Sequence, residues 1–190
     1  MTEGSALIRG LEGVVAAETR LCDLDGRNGR LAYGGYDIDE LARQSSFEEV
    51  TYLLWHGELP KPAQLDRFRL ELAAARPIPP ALTEAFRLMP RDTDPMRVLQ
   101  AAVAILGMHD LDATDNSRAA NLGKAARLTS QIATAICAHH RVRTGESPVP
   151  PSPDLPLAAN FLYMLSGQRP SDVAARALDA SLILYAEHEL

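Results

Sequence analysis

Ser46-Phe47-Glu48-Glu49-Val50-Thr51-Tyr52-Leu53-Leu54-Trp55-His56-Gly57-Glu58-Leu59-Pro60 carries a complete helix signature in one stretch. Ser46 and Glu49 have the spacing of a capping box, in which each side chain satisfies the other's backbone N–H at the helix start. Val50, Leu53 and Leu54 then share one apolar face, and Gly57 and Pro60 stop the helix. The same grammar continues outward. Pro62 suits a first turn before Leu65, Phe68 and Leu72, and Pro77, Pro79 and Pro80 break the chain again. A short helix through Leu82, Phe86 and Leu88 ends at Pro90. Asp94 as N-cap and Pro95 at the first helical position open the next helix, which runs to Gly107. Val98, Ala101, Ala102, Ile105 and Leu106 leave it a narrow polar face, so it is expected to be buried in a core or between subunits.

After the polar turn Asp110 to Asn116, the pattern predicts a helix over Ser117 to Arg143, roughly 40 Å at 1.5 Å per residue. Leu122, Ala125, Thr129, Ile132, Ala133 and Ile136 lie along one side, where small residues let a partner helix approach. Ser147 to Pro156 holds five prolines and reads as an extended loop. A helix over Leu157 to Leu165 follows, then a last one capped by Ser171. Its apolar pattern, through Val173, Ala177, Leu178, Leu182, Ile183 and Leu184, is still running where the sequence stops at Leu190, with no terminator.

Toward the other end the pattern changes. The apolar stretches Val14 to Cys22 and Arg30 to Tyr33 flank Asp25-Gly26-Arg27-Asn28-Gly29, whose Asp-Gly and Asn-Gly supply the positive φ that a reversal needs. A β-hairpin is predicted at about 12–36, with Tyr33-Gly34-Gly35-Tyr36 as a second turn and helices from about Asp37 onward. The fold class is therefore mainly all-α with a short N-terminal β-hairpin.

Composition agrees with this. The chain has 190 residues, 46% hydrophobic but only 5% aromatic, with a mean hydropathy of -0.11. Such a chain buries an ordinary globular core. Nineteen basic against 25 acidic residues leave a net charge of -6, and no Lys/Arg block gives the footprint of a nucleic-acid binder. The longest apolar run, Ala101 to Met108, is too short to span a bilayer. No basic region followed by an apolar stretch marks a secretory signal, and the two cysteines, Cys22 and Cys137, form no disulfide framework. A cytoplasmic location is expected.

The chemical inventory is thin. There is no glycine-rich phosphate loop, no Gly-x-Ser-x-Gly and no Cys-x-x-Cys. His56 and His109 sit at helix ends, where they can meet the last carbonyls. His139 and His140 are adjacent, so they point to different faces and cannot chelate one ion; a solvated helix end accounts for them. His188 differs, because it stands between Glu187 and Glu189 at the end of a mostly apolar helix. Burial and the flanking acids would tune its pKa in opposite directions. No metal site is expected: His188-Glu189 would begin a zinc helix only with residues the chain does not contain.

In order along the chain, several stretches together resemble the N-terminal half of the citrate synthase family. Gly10 to Thr19 is similar to its opening strand and Gly29 to Ile38 to the turn after its hairpin. Ser46 to Pro60 is the most specific block. Asp94-Pro95-Met96-Arg97-Val98-Leu99 resembles its Pro-Met helix, Asn160 to Leu165 a later one, and Leu182 to Leu190 its His-Glu segment. One departure is local: Gly34 stands where the family usually has arginine.

The resemblance implies an acyltransferase that condenses acetyl-CoA with oxaloacetate, giving citrate and CoA, with no cofactor beyond these substrates. It gives His188 the role of binding oxaloacetate. It also implies a homodimer through the helices at about 95–106 and 117–143. The family's Gly-Pro-Leu-His-Gly histidine, its later Gly-x-Gly-His histidine, its catalytic aspartate and its carboxylate-binding arginines are absent, so no catalytic residue is assigned in this chain. Residues 1–190 are expected to be the N-terminal part of the large domain, lacking the small domain and inactive alone. Two other readings stay open: a 2-methylcitrate synthase using propionyl-CoA, and a non-catalytic helical module that dimerises with or regulates a full-length synthase.

Overall fold

The computed structural model describes residues 18–187. Three short strands open it: β1 (Cys22–Asp25), β2 (Arg30–Tyr33) and β3 (Tyr36–Asp37). They form an antiparallel meander with Cys22 opposite Tyr33 and Tyr33 opposite Tyr36. Asp25 builds the first turn by accepting the N–H of Arg27 and of Asn28, each at 3.1 Å. The second turn is Gly34-Gly35, at φ 55° and 87°. Positive φ at both central positions is what a two-residue hairpin requires.

The strands lie within narrower limits than the sequence pattern suggested. In the predicted span of about 12–36, residues 12–17 fall outside the described residues, and 18–21 are not strand. Of the described residues 18–22 of that apolar stretch, only Cys22 joins β1, where the pairing begins at Cys22–Tyr33. The gain is β3, a third strand made possible by the tight glycine turn.

Among the described residues eight helices follow: α1 (Ile38–Gln44), α2 (Phe47–His56), α3 (Pro62–Ala74), α4 (Pro80–Leu88), α5 (Pro95–Met108), α6 (Arg118–Thr144), α7 (Leu157–Ser166) and α8 (Asp172–Leu184). The capping box at Ser46 and Glu49 is fully formed, and Gly57, Gly145 and Gly167 end α2, α6 and α7 in the left-handed conformation. Helix α6 is the axis of the molecule, with α3, α4, α5 and α7 packed around it. One core joins α4, α5 and α6 through Leu82, Phe86, Val98, Ala102, Leu106, Ala135 and Ala138. A second joins the sheet to α1, α2 and α8 through Tyr33, Leu41, Val50, Leu53 and Ile183.

Three expectations need correction. Helix α8 does end, at Leu184, although no Gly, Asn or Pro stops it. Its final carbonyls find a donor in the Tyr33 hydroxyl, a tertiary partner that no local pattern could announce. The deeply buried face of α6 is not the stripe Leu122 to Ile136 but Ala126, Ser130, Thr134, Ala135, Cys137, Ala138 and His139. His139 is accordingly not at a solvated end: it is buried edge-on to Phe86, with ring centroids 5.5 Å apart.

Helix α5 is only partly covered within this chain. Val98, Ala102 and Leu106 are buried, whereas Met96 and Met108 are 63% and 80% exposed.

Candidate functional site

The site marked out by sequence, His188, follows α8 in the chain. Residue 188 itself is outside the described residues, but the frame that leads to it is well defined. Asp179 is the lone carboxylate on the apolar side of α8 and is buried. Its Oδ1 accepts the Phe47 backbone N–H at 3.0 Å, so it satisfies an open donor in the first turn of α2. Arg176, one turn earlier, donates to Asp179 Oδ2 at 2.7 Å and to the Ser45 carbonyl at 2.8 Å, and also to the Ala42 carbonyl. These bonds tie α8 to the α1–α2 junction.

At the far end of α8, Ile183 and Tyr33 are both fully buried in the same core. The Tyr33 hydroxyl lies 3.1 Å from the Leu184 carbonyl and 3.2 Å from that of Glu187. Burial pushes the phenol pKa up, with the nearby Glu187 carboxylate adding to the rise. The group therefore stays protonated and can donate at neutral pH.

A second frame holds α7. The Glu48 side chain, almost completely buried, accepts the Leu157 N–H at 2.7 Å and so caps a helix whose own N-cap, Pro156, offers no side-chain bond. Buried Arg76 donates to the Leu155 carbonyl at 2.8 Å and to the Ser152 carbonyl, pinning the proline-rich loop. Burial lowers the Arg76 pKa, and the Glu48 charge opposes that shift. Asn160 Oδ1 accepts the Ser152 N–H at 2.8 Å from the other side.

The predicted α6 stripe has a different use. Thr129, Ile132, Ala133 and Ile136 line an apolar groove of about 200 Å³ with Phe47, Leu157, Phe161, Leu178 and Leu182. It lies along α6, α7 and α8 and is open in this chain.

The remaining candidates offer no chemistry. His56 ends α2 and stacks on Tyr52 with centroids 4.1 Å apart, and His109 is the C-cap of α5. The buried Cys137 thiol is pushed up to about 12, which leaves it un-ionised. Among the described residues no three His, Cys, Asp or Glu side chains are grouped to hold a metal ion. No helix among them is long and apolar enough to cross a membrane.

Sequence reasoning singled out His188 but missed Tyr33, Arg176, Asp179, Glu48 and Arg76. One signal was available: a carboxylate at Asp179, flanked by Leu178, Ala180 and Leu182, needs a partner if that face is buried.

The architecture defines a class first: a mainly helical scaffold around one long central helix, α6, with a small antiparallel sheet packed on α1, α2 and α8. Similarity to known proteins narrows the class. A family model described as "Citrate synthase, C-terminal domain" matches residues 10–190. A citrate synthase of Haloferax volcanii is 45% identical over 190 residues, which take in 97% of this chain and 50% of that protein. The crystal structure of citrate synthase from Pyrobaculum aerophilum matches with a TM-score of 0.89 at 37% identity, over 94% of this chain and 47% of that one. A ternary complex of Thermoplasma acidophilum citrate synthase with carboxymethyl coenzyme A and oxaloacetate matches with a TM-score of 0.88 at 27% identity, over 94% and 47%. The chain belongs to the citrate synthase family. It spans about half the length of the relatives it matches.

Proposed function

We propose that this chain forms the amino-terminal half of a citrate synthase-type acyltransferase, part of its large domain, acting in the cytoplasm. The observation that carries the reading is similarity along nearly the whole chain, 45% identical to a citrate synthase over 97% of it, with the family model matching residues 10–190. The reaction is a carbon–carbon condensation. A base removes a proton from the acetyl methyl group of acetyl-CoA, and the enol carbon attacks the ketone of oxaloacetate. Water then cleaves the citryl thioester, releasing citrate and CoA. No resident cofactor is needed, since acetyl-CoA is itself a substrate.

In this reading the chain's own contribution is binding. His188 presents an imidazole N–H to an oxygen of oxaloacetate, at the end of a segment whose helix α8 is tied to the α1–α2 junction by Asp179 and Arg176. An anion held by a preorganised donor loses little to reorganisation when its ketone becomes an alkoxide. The proton-transferring groups come from the other half of the fold. The apolar groove between α6, α7 and α8 supports this, because it offers an unfilled seat of the kind such a half would close. The exposed Met96, Val103 and Met108 on α5 support a homodimer through residues 95–106 and 117–143.

The test is CoA release from acetyl-CoA with oxaloacetate, with propionyl-CoA in parallel. The chain is assayed alone and mixed with the complementary half of a relative. Activity only in the mixture is expected, with acetyl-CoA preferred. Activity of the chain alone would overturn the division of labour, and a folded but silent mixture would overturn the proposed reaction.

A further inference from the structure

We infer that the cavity between α3, α7 and α8 is a binding site for a small organic monocarboxylate, held by Arg69, Arg169 and the N-terminus of α7. The cavity measures about 300 Å³, at the small end of the range for small-molecule sites. Ser46 at the start of α2, Arg69 on α3, and Ala158 and Ala159 in the first turn of α7 line it; Arg169 in the α7–α8 turn and Ala175 on α8 complete the wall.

Its donors are uncommitted. Among the described residues Arg69 makes one bond, from Nη2 to the Ser46 hydroxyl oxygen at 3.2 Å, and its Nε is buried without a partner. A guanidinium can donate far more than that. Arg127, Arg141 and Arg176 each pair with a carboxylate, but Arg69 and Arg169 pair with none among the described residues. The helix end is open in the same way. Pro156, the N-cap of α7, makes no side-chain bond, and Glu48 takes only the Leu157 N–H. Ala158 and Ala159 are 2% and 8% exposed, and among the described residues their N–H groups meet no acceptor. Buried first-turn donors left open cost free energy, and the positive end of the helix dipole favours an anion before them.

The charges in the wall select the kind of anion. Arg69, Arg169 and Arg176 line the cavity, with Asp172 and Asp179. Arg176 and Asp179 neutralise each other at 2.7 Å. Arg69 and Arg169 are then opposed by Asp172 alone, so a single negative charge restores balance and a second would face Asp172 unopposed. This favours a carboxylate over a phosphate, and the planar carboxylate also matches the guanidinium fork. Leu155, Pro156 and Pro170 give the ligand's body an apolar wall.

The probe is benzoate, titrated into the 190-residue chain and followed by ¹H–¹⁵N NMR. Saturable shifts are expected at the Ala158 and Ala159 amides, with none from benzyl alcohol and far weaker ones from inorganic phosphate. Arg169 is exposed and bonds nothing among the described residues, so Arg169→Gln leaves the fold intact. It should weaken benzoate about tenfold, as should Arg69→Gln. Arg91→Gln, which removes the same charge outside this cavity, should leave the affinity unchanged. Absence of saturable shifts, equal binding of benzyl alcohol or of phosphate, or an affinity untouched by Arg169→Gln would each overturn the inference. Benzoate binding should persist when the complementary half of a relative is added; its loss there would show that half filling the cavity with its own chain, and would overturn the inference too.

Discussion

Replacing Asp179 with alanine removes the bond that docks α8 onto α2. Asp179 is 8% exposed. Its Oδ1 accepts the Phe47 N–H at 3.0 Å and its Oδ2 the Arg176 guanidinium at 2.7 Å. A hydrogen bond to a charged group is worth about 1.5–3 kcal/mol, and leaving the half-buried Phe47 donor without its partner adds a penalty toward the lower end of about 1–3 kcal/mol. The Arg176 side chain is 43% exposed and keeps the Ser45 and Ala42 carbonyls, so its loss adds little. Asp179→Ala should therefore destabilise the fold by about 3 kcal/mol, within the range that partner removal gives. Asp179→Asn keeps a neutral oxygen facing Phe47 and should cost about 1 kcal/mol.

The assay is urea unfolding followed by far-UV circular dichroism, comparing midpoints at constant slope. For a chain of this size the alanine variant should also melt about 6–12 °C lower. Equal midpoints for wild type and alanine would refute the reasoning, because a docking bond that costs nothing to remove docks nothing. An asparagine variant as unstable as alanine would instead show that the charge, and not the acceptor oxygen, holds α2.

Three further outcomes can be checked in the same way. Glu48→Ala strips the cap from α7 and leaves the buried Leu157 N–H without its acceptor; about 1–3 kcal/mol should be lost by urea unfolding, with Glu48→Gln much milder. Burial, reinforced by Arg143 and His140, holds the His139 pKa below the ordinary histidine value. The unfolded chain therefore takes up a proton near pH 6.5 that the folded chain refuses, and this part of the stability, full above that pH, falls away as the solution is acidified through the window below it. The stability profile of His139→Gln should be flatter there than that of wild type. Gly34→Arg places a side chain at a position with φ 55°, where a Cβ would meet Leu53 Cδ1 at 3.0 Å. It should destabilise by at least about 1–2 kcal/mol, and a neutral or stabilising result would mean that the turn relaxes readily.

The features legible in sequence were those set by near neighbours. Ser46 with Glu49, Asp94 with Pro95, and Gly34-Gly35 specify caps and turns within four residues of themselves, and the helices begin where they should. What could not be read was which way each helix turns its faces. On α6 the larger apolar side chains Leu122, Ile132 and Ile136 suggested the packed side. The helix instead buries Ala126, Ser130, Ala135 and Ala138, because small residues let several helices close on a central axis. The larger residues were left to line the open groove. His139 went astray for the same reason: adjacency to His140 says nothing about Phe86 on another helix.

The candidate site divides along the same line. His188 was recognisable from its own segment, yet its support comes from residues far away in the chain. Tyr33 reaches Glu187 across 154 positions, Arg176 reaches Ala42 across 134 and Asp179 reaches Phe47 across 132. All three contacts link α8 or its end to residues 33–47. The hairpin and the α1–α2 junction therefore hold α8 from the far end of the sequence, while its sequence neighbour α7 packs along it. Long-range closure of this kind is slow to form and is gained only once the intervening helices have packed. The segment entering His188 should consequently be among the last to order during folding, and Tyr33→Phe should speed unfolding while leaving the folding rate nearly unchanged. Stopped-flow rates would test that asymmetry, and a variant that slowed folding instead would place the hairpin–α8 contact in the folding nucleus.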